Sequence, residues 1–266
     1  MSKKEQVVAA DLKNYSGQYR QFENERTRPV RDLVAAIPAG DVKQAIDLGC
    51  GPGNSTEVLL ARYPQATIGG VDASADMIAS ARTRLPQVQF DVVDIAAWAP
   101  DAQYDVILAN ASLQWLPDHE TLFPDLLGKV TPGGHFAVQI PDNLDEPAHK
   151  LTREIAANGP WAAKLAGIKR TPRLSANRYY EVLAPHCRHI DMWRTTYFHV
   201  LQGGSDAVVE WFKGSALRPF LAALSGDEQE DFLTQYREGI ARHYPALEDG
   251  TVLLPFPRLF MVATRR

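Results

Sequence analysis

Three glycines alternate at positions 49, 51 and 53, directly after a short apolar run and directly before a helical pattern. The stretch reads Ala45-Ile46-Asp47-Leu48-Gly49-Cys50-Gly51-Pro52-Gly53-Asn54-Ser55-Thr56. Glycine lets the backbone turn sharply and lets a ligand approach closely, because no Cβ stands in the way. A helix starting just beyond points its free N–H groups back into the same space. Strand, glycine turn and helix in that order build a nucleotide cradle, although a tight turn with no ligand would share the glycines. The dinucleotide pattern is G-x-G-x-x-G, and its third glycine falls here on Asn54. What the chain carries is D-x-G-x-G-x-G, with Asp47 two residues ahead of the first glycine. That acid would repel a pyrophosphate but not the cationic end of an amino-acid-bearing nucleotide.

The bulk numbers set the frame around this turn. A chain of 266 residues, 45% hydrophobic and 23% charged, has an ordinary globular composition. It is long enough for one large domain or for a core domain carrying inserted pieces. The net charge of −4 supplies no basic field for nucleic acid. Cys50 and Cys187 are too few for a disulfide framework, and the seven histidines are scattered, so no metal site is expected. No signal-type apolar core opens the chain and no apolar run approaches membrane-spanning length, so a cytoplasmic protein is expected.

Taken in order, the chain alternates strands and helices. A polar leader precedes the aromatic stretch around Tyr15, Tyr19 and Phe22, and residues 1–29 are expected to form a lid segment. Val30, Leu33, Val34 and Ile37 share one helical face, with Pro29 expected at that helix's start. Strands are expected at Val42 to Leu48, Ile68 to Val71, Val88 to Val93, Tyr104 to Ala109 and His135 to Ile140. Asp72 ends the second strand, where such folds hydrogen-bond ribose hydroxyls, and Ser74 suits the N-cap of the next helix. Ligands in open α/β sheets sit at the carboxyl ends of strands, so Asn110-Ala111-Ser112-Leu113-Gln114-Trp115 should face the ligand. Thr131-Pro132-Gly133-Gly134 reads as a tight turn.

Beyond Pro141 the pattern changes. Helical inserts are expected at about 142–174 and 203–250, around an alternating strand from Ile190 to Leu201 and before a last strand from Leu259 to Thr264. The second insert should make a cap over the active site. The expected fold is α/β, a doubly wound, mostly parallel seven-stranded sheet with an antiparallel last strand, its main domain spanning 30–266.

The Asp47-to-Gly53 motif resembles the first motif of the class I S-adenosylmethionine-dependent methyltransferases. That resemblance implies S-adenosylmethionine as cofactor, leaving as S-adenosylhomocysteine. It also implies that Asp94 receives the adenine amino group while Ile95 packs on the ring. The cofactor-binding candidates are Asp47, Gly49, Gly51, Gly53, Asn54, Asp72, Ala73, Met77, Asp94, Ile95, Asn110, Ala111, Ser112 and Gln114.

More specific stretches are Leu113-Gln114-Trp115-Leu116-Pro117-Asp118-His119 and Trp193-Arg194-Thr195-Thr196-Tyr197, within a match that runs from Gln21 to Pro29 through to Phe256-Pro257-Arg258-Leu259-Phe260. Together they resemble the trans-aconitate 2-methyltransferase family. Against its early Trp-Asn-Pro-Ser-Leu-Tyr pattern, only Tyr19 matches. The resemblance implies methylation of a trans-aconitate carboxylate to a monomethyl ester, with no group certain to act as acid or base. Tyr19 and Trp115 would position the reactants, and Arg28, Tyr180, Arg194, Tyr197, Arg218 and Arg258 would bind substrate. The partner expected is a small polycarboxylate, with no nucleic acid or membrane, for a monomer or weak homo-oligomer. Two alternatives share the cradle: a methyltransferase for another carboxylic acid or acyl-carrier ester, and a non-catalytic nucleotide-binding protein.

Overall fold

The apolar runs that follow one another from Gln44 to Pro141 become the parallel part of a single seven-stranded sheet. The computed structural model describes residues 23–168 and 173–266. Its first half runs α1 (Glu23–Ala36), β1 (Gln44–Leu48), α2 (Asn54–Arg62), β2 (Thr67–Asp72), α3 (Ala75–Arg84), β3 (Gln89–Val92), β4 (Tyr104–Asn110), α4 (His119–Gly128) and β5 (Val130–Pro141). Its second half runs α5 (Pro147–Asn158), α6 (Ala162–Leu165), α7 (Ala176–Leu183), β6 (Cys187–Gln202), α8 (Gly204–Lys213), α9 (Arg218–Ala222), α10 (Gly226–His243) and β7 (Thr251–Arg265). The strand order is β3-β2-β1-β4-β5-β7-β6. The first five strands pair in parallel, and β7 runs antiparallel to β5 from His135↔Thr264 to Pro141↔Arg258. The order reverses between β1 and β4, which places the glycine turn after β1 at the switch point of the sheet.

The chain divides into two units. The sheet unit comprises Glu23–Pro141, residues 173–195 and Arg258–Arg266. Its core joins Leu48, Ile107 and Ala109 to Phe123, Phe136, Tyr179 and Met261. Strands buried on both faces need such continuous apolar runs, and each fully buried Leu, Ile or Phe contributes roughly 1.5–3 kcal/mol. Val30, Leu33 and Val34 of α1, with Ile37 just past its end, are buried as their spacing requires.

The helical unit comprises residues 142–168 and Thr196–Pro257. It has its own core, in which Phe232 meets Trp161 at a tilt and Phe220 face to face, and Phe212 meets Tyr236 edge-on. A capping box starts α10: the Ser225 side chain receives the Glu228 backbone N–H while the Glu228 carboxylate receives the Ser225 N–H.

Three boundaries differ from the sequence reading. Pro29 lies inside α1 rather than at its start, and its missing N–H leaves one helical hydrogen bond unmade. Thr131 to Gly134 lies within β5, where the register with β4 shifts between Tyr104 and Val106. Gly133 there has φ +83, and a Cβ on Gly134 would stand 2.7 Å from the Asp105 carbonyl oxygen. Proline and glycine thus make a bulge in a continuing strand, not a turn between elements. The last strand begins at Thr251 rather than Leu259, because Pro255 and Pro257 precede the β5 pairing, which starts at Arg258.

Candidate active site

The glycine turn is held by hydrogen bonds from three strands. Gly49 N–H and Cys50 N–H both donate to the Val71 carbonyl at the end of β2, at 2.8 and 3.0 Å. Ser112 Oγ, just past β4, donates to the Leu48 carbonyl at 2.7 Å. Gly49 has φ +71, and a Cβ there would lie 2.3 Å from Ser112 Cβ, so the position excludes every other residue. Gly53 has φ +91 and serves as the N-cap of α2.

Asp72 is fixed from two sides. Its Oδ2 accepts from Gly51 N–H and its Oδ1 from Ser74 N–H, both at 2.9 Å. Ser74 is the N-cap of α3 and accepts from the N–H of the half-buried Met77, while Ala73, between Asp72 and Ser74, is exposed. A carboxylate with spare lone pairs is therefore oriented beside the glycine turn. Asp94 uses Oδ1 to accept from Ala96 N–H, which opens the short helical turn Ile95–Ala97. Ile95 packs against the sheet core, and its Cδ1 comes within 3.6 Å of where a Gly49 Cβ would be. The ends of β1, β2, β3 and β4 thus converge.

Asp47 anchors the helix that follows the turn. It is fully buried, and its Oδ2 accepts from Ser55 Oγ at 2.6 Å and Thr56 Oγ1 at 2.7 Å in the first turn of α2. Burial pushes its carboxyl up to about 6, the two hydroxyl bonds oppose that shift, and the charge of Asp72 adds to it. Asp47 clamps the start of α2 onto β1.

After β4 the backbone takes an unusual path. Ala111 has φ +53, donates its N–H to the Gln139 carbonyl at 2.8 Å, and accepts at its own carbonyl from Gln114 Nε2 at 2.6 Å. A carbonyl can only accept, so the Gln114 amide is fixed with Oε1 turned the other way. Three buried oxygens, Asp47 Oδ1, Asn110 Oδ1 and Gln114 Oε1, have no hydrogen-bond partner among the described residues. Acceptors left over at the carboxyl ends of β1 and β4 suit a ligand that brings donors and positive charge.

His119 is a feature the sequence reading missed. Its Nε2 lies 2.8 Å from the Leu113 carbonyl and its Nδ1 2.5 Å from Tyr179 Oη. The carbonyl requires the proton on Nε2, so Nδ1 accepts from the tyrosine. Burial lowers the imidazole's pKa and keeps it neutral. This bridge ties the segment after β4 to α7. No sequence signal joins residues 60 positions apart.

The remaining candidates scatter. Trp115 is 78% exposed, and Arg28, Tyr180 and Arg194 are exposed in the sheet unit. Arg258, in the same unit, is buried and donates from Nη1 to Gln139 Oε1 at 2.9 Å. Buried Tyr197 and exposed Arg218 belong to the helical unit. Tyr19 and nearly all of the expected lid segment lie outside the described residues. Among the described residues no cluster of histidine, cysteine or acidic side chains could hold a metal ion.

The family model described as "Methyltransferase domain" matches residues 45–134, from β1 to the bulge in β5. The YcgJ protein of Bacillus subtilis aligns over 89% of this chain and 97% of its own, with a TM-score of 0.58 at 12% identity. A phosphoethanolamine N-methyltransferase of Haemonchus contortus, solved with S-adenosylhomocysteine, aligns over 88% of this chain and 52% of its own, with a TM-score of 0.51 at 15% identity. The sheet order and the turn after β1 are therefore those of the Rossmann-like methyltransferases.

The relatives in sequence are more specific. A trans-aconitate 2-methyltransferase of Azoarcus sp. (strain BH72) is 53% identical over 249 residues, 93% of this chain and 97% of the relative. One from Yersinia pestis (strain Pestoides F) is 52% identical over 92% of this chain and 95% of the relative. The chain belongs to the trans-aconitate 2-methyltransferase family.

Proposed function

We propose that this protein transfers a methyl group from S-adenosylmethionine to a carboxylate of trans-aconitate, forming a monomethyl ester. The observation that carries the reading is the chemistry of the turn. Its spare groups are acceptors and carboxylates, which fit a ligand bearing an ammonium, a sulfonium and a ribose diol. When bound, S-adenosylmethionine supplies an electrophilic methyl group on a good leaving group.

The residues divide the work. Asp72, held by Gly51 and Ser74, is oriented to receive the two ribose hydroxyls. Asp94 and Ile95 bound the adenine end, and Asn110, Ala111, Ser112 and Gln114 bound the amino-acid end. Asp47 supports the turn and contributes negative charge from beneath. A substrate carboxylate is already ionised at neutral pH, so no general base is required. Rate enhancement then comes from alignment and water exclusion, where proximity can supply roughly 7–11 kcal/mol. Guanidinium groups drawn from Arg28, Arg194 and Arg258 hold the carboxylates that do not react, because bidentate pairing would blunt the one that does. Trp115 and Tyr180 supply aromatic walls. Such chemistry needs neither nucleic acid nor a membrane partner, and we place it in the cytoplasm. Among the described residues no helix is long and apolar enough to cross a membrane.

Labelled S-adenosylmethionine offered with trans-aconitate, cis-aconitate, citrate and isocitrate tests the reading. A labelled monomethyl ester formed fastest from trans-aconitate is expected, and no ester from trans-aconitate would sink it. Changing Arg194 to Ala should raise the acceptor KM and leave donor affinity intact, and unchanged acceptor kinetics would remove Arg194 from the clamp.

A further inference from the structure

We infer that Gln139 is a substrate-binding residue whose side-chain N–H, together with the guanidinium of Arg258, forms a carboxylate subsite at the carboxyl end of β5. The inference rests on the proposed carboxylate chemistry and gives it a place and a donor set.

The sheet brings these groups together. Gln139 pairs in register with Asn110 of β4 on one side and Phe260 of β7 on the other. Arg258 lies two residues from Phe260 and therefore on the same face of β7. Phe260 itself stacks on Trp193, with ring centroids 4.9 Å apart and planes within 7°. The backbone carbonyl of Gln139 receives the N–H of Ala111, so one residue touches both the turn after β4 and the buried guanidinium.

The orientation of the Gln139 amide is settled by chemistry. Arginine can only donate, so the atom facing Arg258 Nη1 at 2.9 Å must be Oε1. Nε2 is then the other end, and the side chain is fully buried. Among the described residues Nε2 has no hydrogen-bond partner. A buried amide donor left unsatisfied is uncommon and marks a place where an acceptor belongs. Here the neighbouring charge is positive, because the Arg173 guanidinium also bonds the carbonyl of Pro141, the register partner of Arg258. An acceptor that is an anion meets both requirements, and a carboxylate oxygen accepts from an amide N–H and a guanidinium together.

A bracing role alone makes a different prediction. If Gln139 only held Arg258 in place, glutamate would do so as well or better, since its carboxylate would pair with the guanidinium. If Gln139 binds substrate, glutamate removes the donor and sets a negative charge against the incoming carboxylate.

The test is therefore Gln139→Glu, with Gln139→Met as an uncharged second variant of similar length. Acceptor KM would be measured with labelled donor, and S-adenosylhomocysteine affinity by calorimetry. In either folded variant, an acceptor KM raised tenfold or more, with S-adenosylhomocysteine affinity within threefold of wild type, is expected. An acceptor KM within threefold in Gln139→Glu, or an equal loss of affinity for S-adenosylhomocysteine, overturns the subsite.

Failure of the functional reading looks different, since the wild type would then methylate none of the four acids. Calorimetric titration of trans-aconitate and citrate into the S-adenosylhomocysteine-loaded protein still decides the subsite in that case. Binding by wild type that is lost in Gln139→Glu supports it, and binding unchanged, or absent from wild type, overturns it.

Discussion

Particular buried polar atoms of the sheet unit and of the helical unit serve different ends. In the helical unit, Trp161 Nε1 donates to the Ile155 carbonyl, Thr152 Oγ1 to the Ala148 carbonyl, and Tyr244 Oη accepts the Ala148 N–H. These bonds fix helices around an aromatic core. In the sheet unit, Asp47, Asn110, Gln114 and Gln139 each keep a buried polar atom without a partner among the described residues. Native interiors rarely leave such atoms unmet except where a ligand completes them. The difference between these two sets of atoms separates bonds that fix a helical core from groups left for a ligand.

The largest expected effect tests the helical side. Phe232 is fully buried between Trp161 and Phe220, and Phe232→Ala should cost about 3–5 kcal/mol through the cavity it leaves. Chemical denaturation would show the loss, while S-adenosylhomocysteine affinity of the folded protein at low temperature should stay within threefold. A matching collapse in affinity would break the comparison.

Gly49→Ala strikes the binding side. The positive φ and the 2.3 Å approach to Ser112 Cβ together should cost about 2–4 kcal/mol, and calorimetry should find donor binding abolished. Retained affinity would mean that the turn can open without harm.

Asp72→Asn is milder, since the amide keeps one acceptor for its two backbone donors. Loss of a charge-assisted bond should weaken S-adenosylmethionine binding by about 1.5–3 kcal/mol, read as a raised donor KM with acceptor KM little changed.

The smallest effect is in pH dependence. Folding raises the Asp47 carboxyl from an ordinary 3.8 to about 6, so between those values the folded protein binds the extra proton. Stability contributed by this group therefore falls as pH rises from about 4 to about 6 and is lowest above that window. Asp47→Asn should flatten that segment of a Tm-versus-pH curve. A slope that persists would show that another group titrates there.

The sequence legibility of the two units differs for physical reasons. The turn could be read because glycine spacing, a leading acid and strand-end acids are local consequences of backbone geometry. Ser74 as an N-cap and the buried α1 stripe followed from equally local rules. Gln139 carried a signal that went unread, a lone polar residue in the apolar run Phe136-Ala137-Val138-Gln139-Ile140. Its meaning depends on Arg258, which only strand pairing brings near. The His119–Tyr179 bond is likewise made by packing between distant segments. Thr131 to Gly134 misled because a proline-glycine pair marks a bulge and a turn alike.

Cys50 gives the glycine turn a further property. Its thiol is buried in an apolar cluster with Ile78, Ala81 and Phe90, with Sγ 3.7 Å from the Gly51 carbonyl oxygen, and burial together with the charges of Asp47 and Asp72 pushes its pKa up. A thiolate is a strong nucleophile, whereas a thiol held in protonated form is a poor one. Beside an alkylating cofactor, that protonation acts as self-protection. The turn carries a sulfur at its centre, and burial with the carboxylates beside the turn keeps that sulfur chemically silent.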